Sequence, residues 1–126
     1  MKKYLKLFCV GVLVSLALVV TSVSGQAESD LAQDHSQWLN TGKAFTVDSF
    51  FFGDELISGE CANDCYDLDL TLYDSETQQP VAQDQDNTPT PTLRAPYEGD
   101  FTLEVSMANC ARTGGCRAWV SSEYGF

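Results

Sequence analysis

Basic residues are scarce in this chain: seven Lys and Arg stand against eighteen Asp and Glu, giving a formal net charge of −11 over 126 residues. That deficit excludes recognition of a nucleic-acid backbone, which needs a basic stripe to release condensed counterions. Histidine occurs once, at His35, so a Ser–His–Asp triad would have to recruit that single residue. No nucleotide, haem or flavin motif is present. The longest apolar run, Leu7 to Val20, has 14 residues, short of the roughly 18 that a membrane span requires. What is abundant is apolar residue, 44% of the chain, too much for a disordered acidic tail.

That apolar run follows Lys2, Lys3 and Lys6 and precedes the small, polar stretch Thr21 to Ala27. The order is that of a secretory signal peptide over residues 1–25, with cleavage near 25–27. Its removal takes three lysines and no acid, so four basic residues remain against eighteen acidic ones. About one hundred residues are then left, enough for a single small domain with no span in the membrane. Removal also takes Cys9 and leaves an even set, Cys61, Cys65, Cys110 and Cys116. In an exported chain four cysteines predict two disulfides, and the destination is the periplasm or the extracellular medium.

A short helical segment is expected over residues 28–42. Ser29 suits an N-cap, Asp30 suits the positive end of the dipole, and Gly42 suits the residue after the last turn. Leu31, His35, Trp38 and Leu39 share one helical face. From residue 43 the period changes to two. Phe45 and Val47 alternate with polar residues, and Leu68, Leu70 and Leu72 alternate with Asp67, Asp69 and Thr71. Phe101-Thr102-Leu103-Glu104-Val105 repeats the pattern, a short strand is expected near Val81, and Arg117 to Ser122 offers a last strand. Short strands with turns every 8–12 residues and no βαβ rhythm predict an antiparallel β-sandwich or barrel over 43–126.

Three pairings of the four cysteines are possible. The pairing 61–65 with 110–116 is favoured because each bridge closes a local loop, worth about 2 kcal/mol by loop entropy. Zinc is disfavoured by the spacing and by an oxidising compartment, and neither pair has the C-x-x-C form of a redox centre. Asp64, Asp67, Asp69, Asp84 and Asp86 form the candidate metal site, because clustered carboxylates at strand ends can supply the oxygens that Ca²⁺ takes. The competing reading of the same residues is a solvated acidic face. Phe50-Phe51-Phe52, Trp119, Tyr124 and Phe126 are candidate ligand-contacting aromatics, and three consecutive Phe in a strand must place at least one on the outer face.

The segment Asp64-Cys65-Tyr66-Asp67-Leu68-Asp69-Leu70-Thr71-Leu72-Tyr73-Asp74, with Val81, Asp84-Gln85-Asp86, Pro96 and Gly99-Asp100-Phe101-Thr102-Leu103-Glu104-Val105 after it, resembles the bacterial pre-peptidase C-terminal domain. The resemblance spans residues 59–107. It implies a jelly-roll-like β-sandwich without catalytic residues, some of whose members bind Ca²⁺ or polymeric substrate. The chain departs from that pattern in lacking an attached enzyme, in its shortened N-terminal strands and in its added cysteine pairs.

The expectation is therefore an all-β antiparallel sandwich with one short N-terminal helix and two disulfides. Its expected role is that of an exported, non-catalytic binding module for a protein or polysaccharide partner, with Ca²⁺ as the one candidate cofactor. Two alternatives stand beside it: a small secreted hydrolase using paired carboxylates, and an envelope protein that pairs through a free sheet edge.

Overall fold

Period-two alternation becomes eight strands in the computed structural model, which describes residues 35–126. They are β1 (Ser36–Leu39), β2 (Ala44–Phe51), β3 (Leu56–Cys61), β4 (Cys65–Asp74), β5 (Pro80–Asp84), β6 (Thr92–Arg94), β7 (Gly99–Cys110) and β8 (Cys116–Ser122). Two antiparallel four-stranded sheets result, one in the order β1-β8-β3-β6 and the other in the order β2-β7-β4-β5. Every link between consecutive strands except β4–β5 crosses from one sheet to the other, the connectivity of a double Greek key.

The core lies between the sheets. Phe45, Val47, Phe51, Leu68, Leu70, Leu72, Phe101, Leu103, Val105 and Met107 face Leu39, Ile57, Leu93, Ala118 and Val120, and all are buried. Gly59 marks a close approach between the sheets. A Cβ there would stand 3.1 Å from Pro91 Cγ and 3.3 Å from Leu68 Cδ2, so a residue without a side chain lets β3 close on β4.

The expected helix over residues 28–42 is not found in its described part. Residues 36–39 form β1, paired with β8 from Ser36↔Trp119 to Leu39↔Cys116. Trp38 and Leu39, placed on one helical face by the sequence pattern, point to opposite sides: Leu39 is buried and Trp38 exposed. The unpaired side of β8 supplies a ladder of hydrogen bonds, and that pairing outweighs a short and weakly amphipathic helix signal. Gly42, at φ +86°, makes the turn into β2, with Lys43 N donating to Asn40 O and Gly42 N to Met107 O. The expected signal peptide and residues 28–34 of the expected helix lie outside the described residues.

Strand alternation sorts the loops to two ends of the sandwich. The β2–β3, β4–β5 and β6–β7 loops and the segment Glu123–Phe126 share one end, tied by Asp54 N to Ala95 O and Ser75 N to Asp100 O. At the other end are the β1–β2, β3–β4, β5–β6 and β7–β8 connections. Both disulfides are there, Cys61–Cys65 and Cys110–Cys116, in the favoured pairing and with Cα atoms 5.9 Å apart in each. Cys65 stands directly opposite Cys110 on neighbouring strands, and Ala111 N donates to Asp64 O, so the two stapled loops are fastened to each other.

Candidate functional site

The end away from the disulfides carries an exposed aromatic patch. At the end of β2 the strand rule sends Phe51 into the core, where it is fully buried, and leaves Phe50 45% exposed, while Phe52, the first residue after the strand, is 50% exposed. Tyr124, from the segment after β8, joins them at 67% exposure. The rings meet edge to face, with centroids 5.3 Å apart for Phe50–Phe52 and 5.7 Å for Phe52–Tyr124. Phe52, Gly53 and Tyr124 line an open depression of about 400 Å³. Beside it Tyr97 lies half over Phe101, their centroids 5.2 Å apart.

A buried acid holds this patch in shape. Glu55 is 1% exposed. Its Oε2 accepts from Phe52 N at 2.9 Å, and its Oε1 accepts from Ser122 Oγ at 2.6 Å and Tyr124 N at 3.3 Å. Its own backbone closes the ring, since Glu55 N donates to Phe52 O and Ala95 N to Glu55 O. One carboxylate therefore fixes the β2–β3 turn, the end of β8 and the segment carrying Tyr124. Phe126 reaches the same corner from the other side, with its ring 5.6 Å from Phe51 and 4.2 Å from His35.

A rim of acids surrounds the patch. Asp54 and Glu123 are exposed sequence neighbours of Glu55 and Tyr124, and Asp100 is paired with Phe50 across β2 and β7. Asp74, Glu76, Tyr97, Glu98 and Asp100 line a notch of about 210 Å³. There the Tyr97 hydroxyl donates to Asp74 Oδ2 at 2.5 Å. That bond, helped by the Thr77 and Glu76 amides, holds Asp74 below its ordinary value, and the same bond pushes the Tyr97 phenol up.

The five aspartates predicted as a metal site are only partly brought together. Asp69 faces outward from β4, and burial, then the carboxylates of Asp67 and Asp84, raise it above its ordinary value. Asp67 Oδ1 and Asp69 Oδ1 are both buried atoms without a hydrogen-bond partner. Asp84 is otherwise occupied: its Oδ1 accepts from Asp86 N and its Oδ2 from Thr92 N, pinning the start of β6. Asp64 is exposed in the Cys61–Cys65 turn at φ +70°, and Asp86 is exposed in the β5–β6 loop. Among the described residues, no three His, Cys, Asp or Glu side chains form a group able to hold a metal ion.

His35 and Trp119 line an open groove with Arg117 and Phe126, where Trp119 Nε1 donates to Glu60 Oε2 at 3.0 Å. Sequence reasoning named the aromatics and missed Glu55. The only signal was an acid sitting beside the Gly53-Asp54 turn, and Asp54 offered the same signal from an exposed position.

No protein-family model and no curated protein sequence matches this chain. Among solved structures, the chain is similar to Aeromonas hydrophila PliG, a periplasmic lysozyme inhibitor of g-type lysozyme. The identity is 13% and the TM-score 0.42, with 71% of this chain and 87% of that chain covered.

Proposed function

We propose that this chain is an exported, non-catalytic interaction module that engages a protein or polysaccharide partner through its aromatic end. One observation carries the reading. Phe50, Phe52 and Tyr124 stand exposed at the surface with their rings in edge-to-face contact, and a buried carboxylate binds the backbone of Phe52 and Tyr124. Large apolar residues clustered at the surface on a pre-organised backbone are the composition of a binding hot spot. The two disulfides fit an oxidising destination. The resemblance to pre-peptidase C-terminal domains supports the same class of function, and its two motif strands, β4 and β7, are neighbours in one sheet.

The test is affinity capture from the exported fraction with the wild-type chain and with a Phe50→Ser/Phe52→Ser/Tyr124→Ser variant. A partner retained by the first and lost by the second is the expected result. Equal retention by both would remove the aromatic end from consideration, and turnover on a polysaccharide or peptide panel would remove the non-catalytic reading.

A second reading, Ca²⁺ stabilisation, is favoured by the paired buried oxygens of Asp67 and Asp69. A divalent cation would partner both and relieve their repulsion. Melting in millimolar Ca²⁺ and in EGTA tests it. A rise of several degrees that Mg²⁺ does not reproduce and Asp69→Asn abolishes is expected of this reading, and identical midpoints would end it.

A further inference from the structure

Acids lie at both ends of the molecule, but its cations are unevenly placed. Four cations lie among the described residues: Lys43, Arg94, Arg112 and Arg117. Lys43 and Arg112 belong to the connections at the disulfide end, where Arg112 lies over the Trp38 ring at 5.5 Å. Arg117, second residue of β8, reaches Ser36 Oγ on β1. Arg94 alone is at the aromatic end, and Asp54 engages it: its Nη1 is 2.8 Å from Asp54 O and 3.8 Å from Asp54 Oδ2. The rim of the patch is thus left with the carboxylates of Asp74, Glu76, Glu98, Asp100 and Glu123, all outside any ion pair among the described residues.

We infer that the partner of the aromatic end is a basic protein surface, which sets apolar side chains on Phe50, Phe52 and Tyr124 and its own Lys or Arg groups against the acidic rim. The inference rests on the proposal that this end is the docking surface, and it specifies the chemistry of the occupant. A negative field around an apolar centre attracts a positive partner over a distance of about a Debye length and rejects an acidic one. A second copy of this chain is disfavoured, because it would bring one acidic rim against another. A neutral polysaccharide is also disfavoured. Successive rings are inclined at 88° and 90° and so present no shared flat shelf on which sugar rings could stack, and a neutral sugar leaves the rim charges without counterparts.

The experiment follows backbone amide shifts of the oxidised chain by NMR during titration with four probes. They are a short Lys–Leu peptide, the same peptide with Glu for Lys, a Lys–Ser peptide, and a neutral glucan oligosaccharide. The Lys–Leu peptide is expected to move the Phe52 and Tyr124 amides. Its affinity is expected to fall about tenfold on charge reversal by Glu98→Lys/Asp100→Lys and to weaken steadily with added salt. Phe52→Ser, which keeps the amide that Glu55 binds, is expected to abolish those shifts while the remaining spectrum stays folded.

Equal binding of the Glu–Leu peptide would overturn the basic-partner inference and leave the aromatic docking surface standing. Oligosaccharide shifts at Phe52 and Tyr124 without any from the Lys–Leu peptide would do the same. Lys–Ser binding as tight as Lys–Leu would show charge alone at work and overturn the inference. Silence of the aromatic end towards all four probes would overturn this inference and the docking surface together.

Discussion

Phe52 and Tyr124, far apart in the chain, donate their backbone N–H groups to opposite oxygens of one buried carboxylate, that of Glu55. The turn that lifts Phe52 out of the sheet and the segment that brings Tyr124 to meet it are therefore one unit. The surface patch depends on a residue with no exposed atoms to speak of.

Replacing Glu55 should uncouple that unit. In Glu55→Gln the amide keeps the shape and loses one acceptor, leaving a backbone N–H or the Ser122 hydroxyl without its charged partner. The expected loss is about 1–3 kcal/mol, measured by urea unfolding. Glu55→Ala also leaves a cavity and should lose more. Both variants should broaden the Phe52 and Tyr124 amide resonances before the core ones.

Adjacent phenylalanines should behave in opposite ways. Phe51→Ala removes a fully buried ring and is expected to cost about 3–5 kcal/mol. Phe50→Ser and Phe52→Ser remove rings that touch mainly each other and Tyr124, so each should change stability by less than about 1 kcal/mol. Thermal melts of the three single variants check this, and a large loss at Phe50 or Phe52 would make those residues structural.

Asp69 has a pH signature. Its folded-state value lies above the unfolded one because of burial and then the charges of Asp67 and Asp84, so folding favours its protonated form. That contribution is complete below the ordinary carboxylate value and is lost as pH rises through the folded-state value. At neutral pH the ionised group opposes folding. Asp69→Asn should therefore stabilise the chain at pH 7 in metal-free buffer, by less than about 1 kcal/mol given its access to solvent. The difference from wild type should vanish towards pH 3.

Gly115 is held at φ +87°, and a Cβ there would stand 3.0 Å from the carbonyl oxygen of Leu39 and 3.1 Å from its carbon. Backbone atoms cannot swing aside as a side chain does. Gly115→Ala should destabilise by about 1–3 kcal/mol, whereas Gly114→Ala, whose Cβ would meet nothing within 4 Å, should be close to neutral. Parallel unfolding curves separate the two.

The strands most legible in the sequence were those whose alternation is long enough to stand against noise. β4 and β7 have Leu68-x-Leu70-x-Leu72 and Phe101-x-Leu103-x-Val105, and each buries one face and leaves the other polar. The local cysteine pairs were legible for a related reason, since short spacings favour short loops. β6 was not foreseen, because three residues between Pro91 and Pro96 carry no period; its place is set by pairing with Leu56–Ser58 and by the Asp84 carboxylate. β1 reads as helix because Leu31, His35, Trp38 and Leu39 stand at helical spacing, and only the open side of β8 makes Ser36–Leu39 a strand. At the site, the pleat required at least one of the three phenylalanines outside without saying which, and Glu55 and Asp54 are indistinguishable until the segment after β8 folds back over one of them.

β1 and β8 are the first and last of the described strands, and Ser36 sits opposite Trp119. The double Greek key therefore closes its longest chain loop at one seam. Contacts of such high sequence separation slow the search for the native state, and the disulfides barely shorten that loop, since each bridges only one short connection between the sheets, with sequence separations of 4 and 6. Oxidation should consequently leave the refolding rate nearly unchanged and act on the unfolding arm of a chevron, so the staples of this protein lengthen the lifetime of the native state without hastening its arrival.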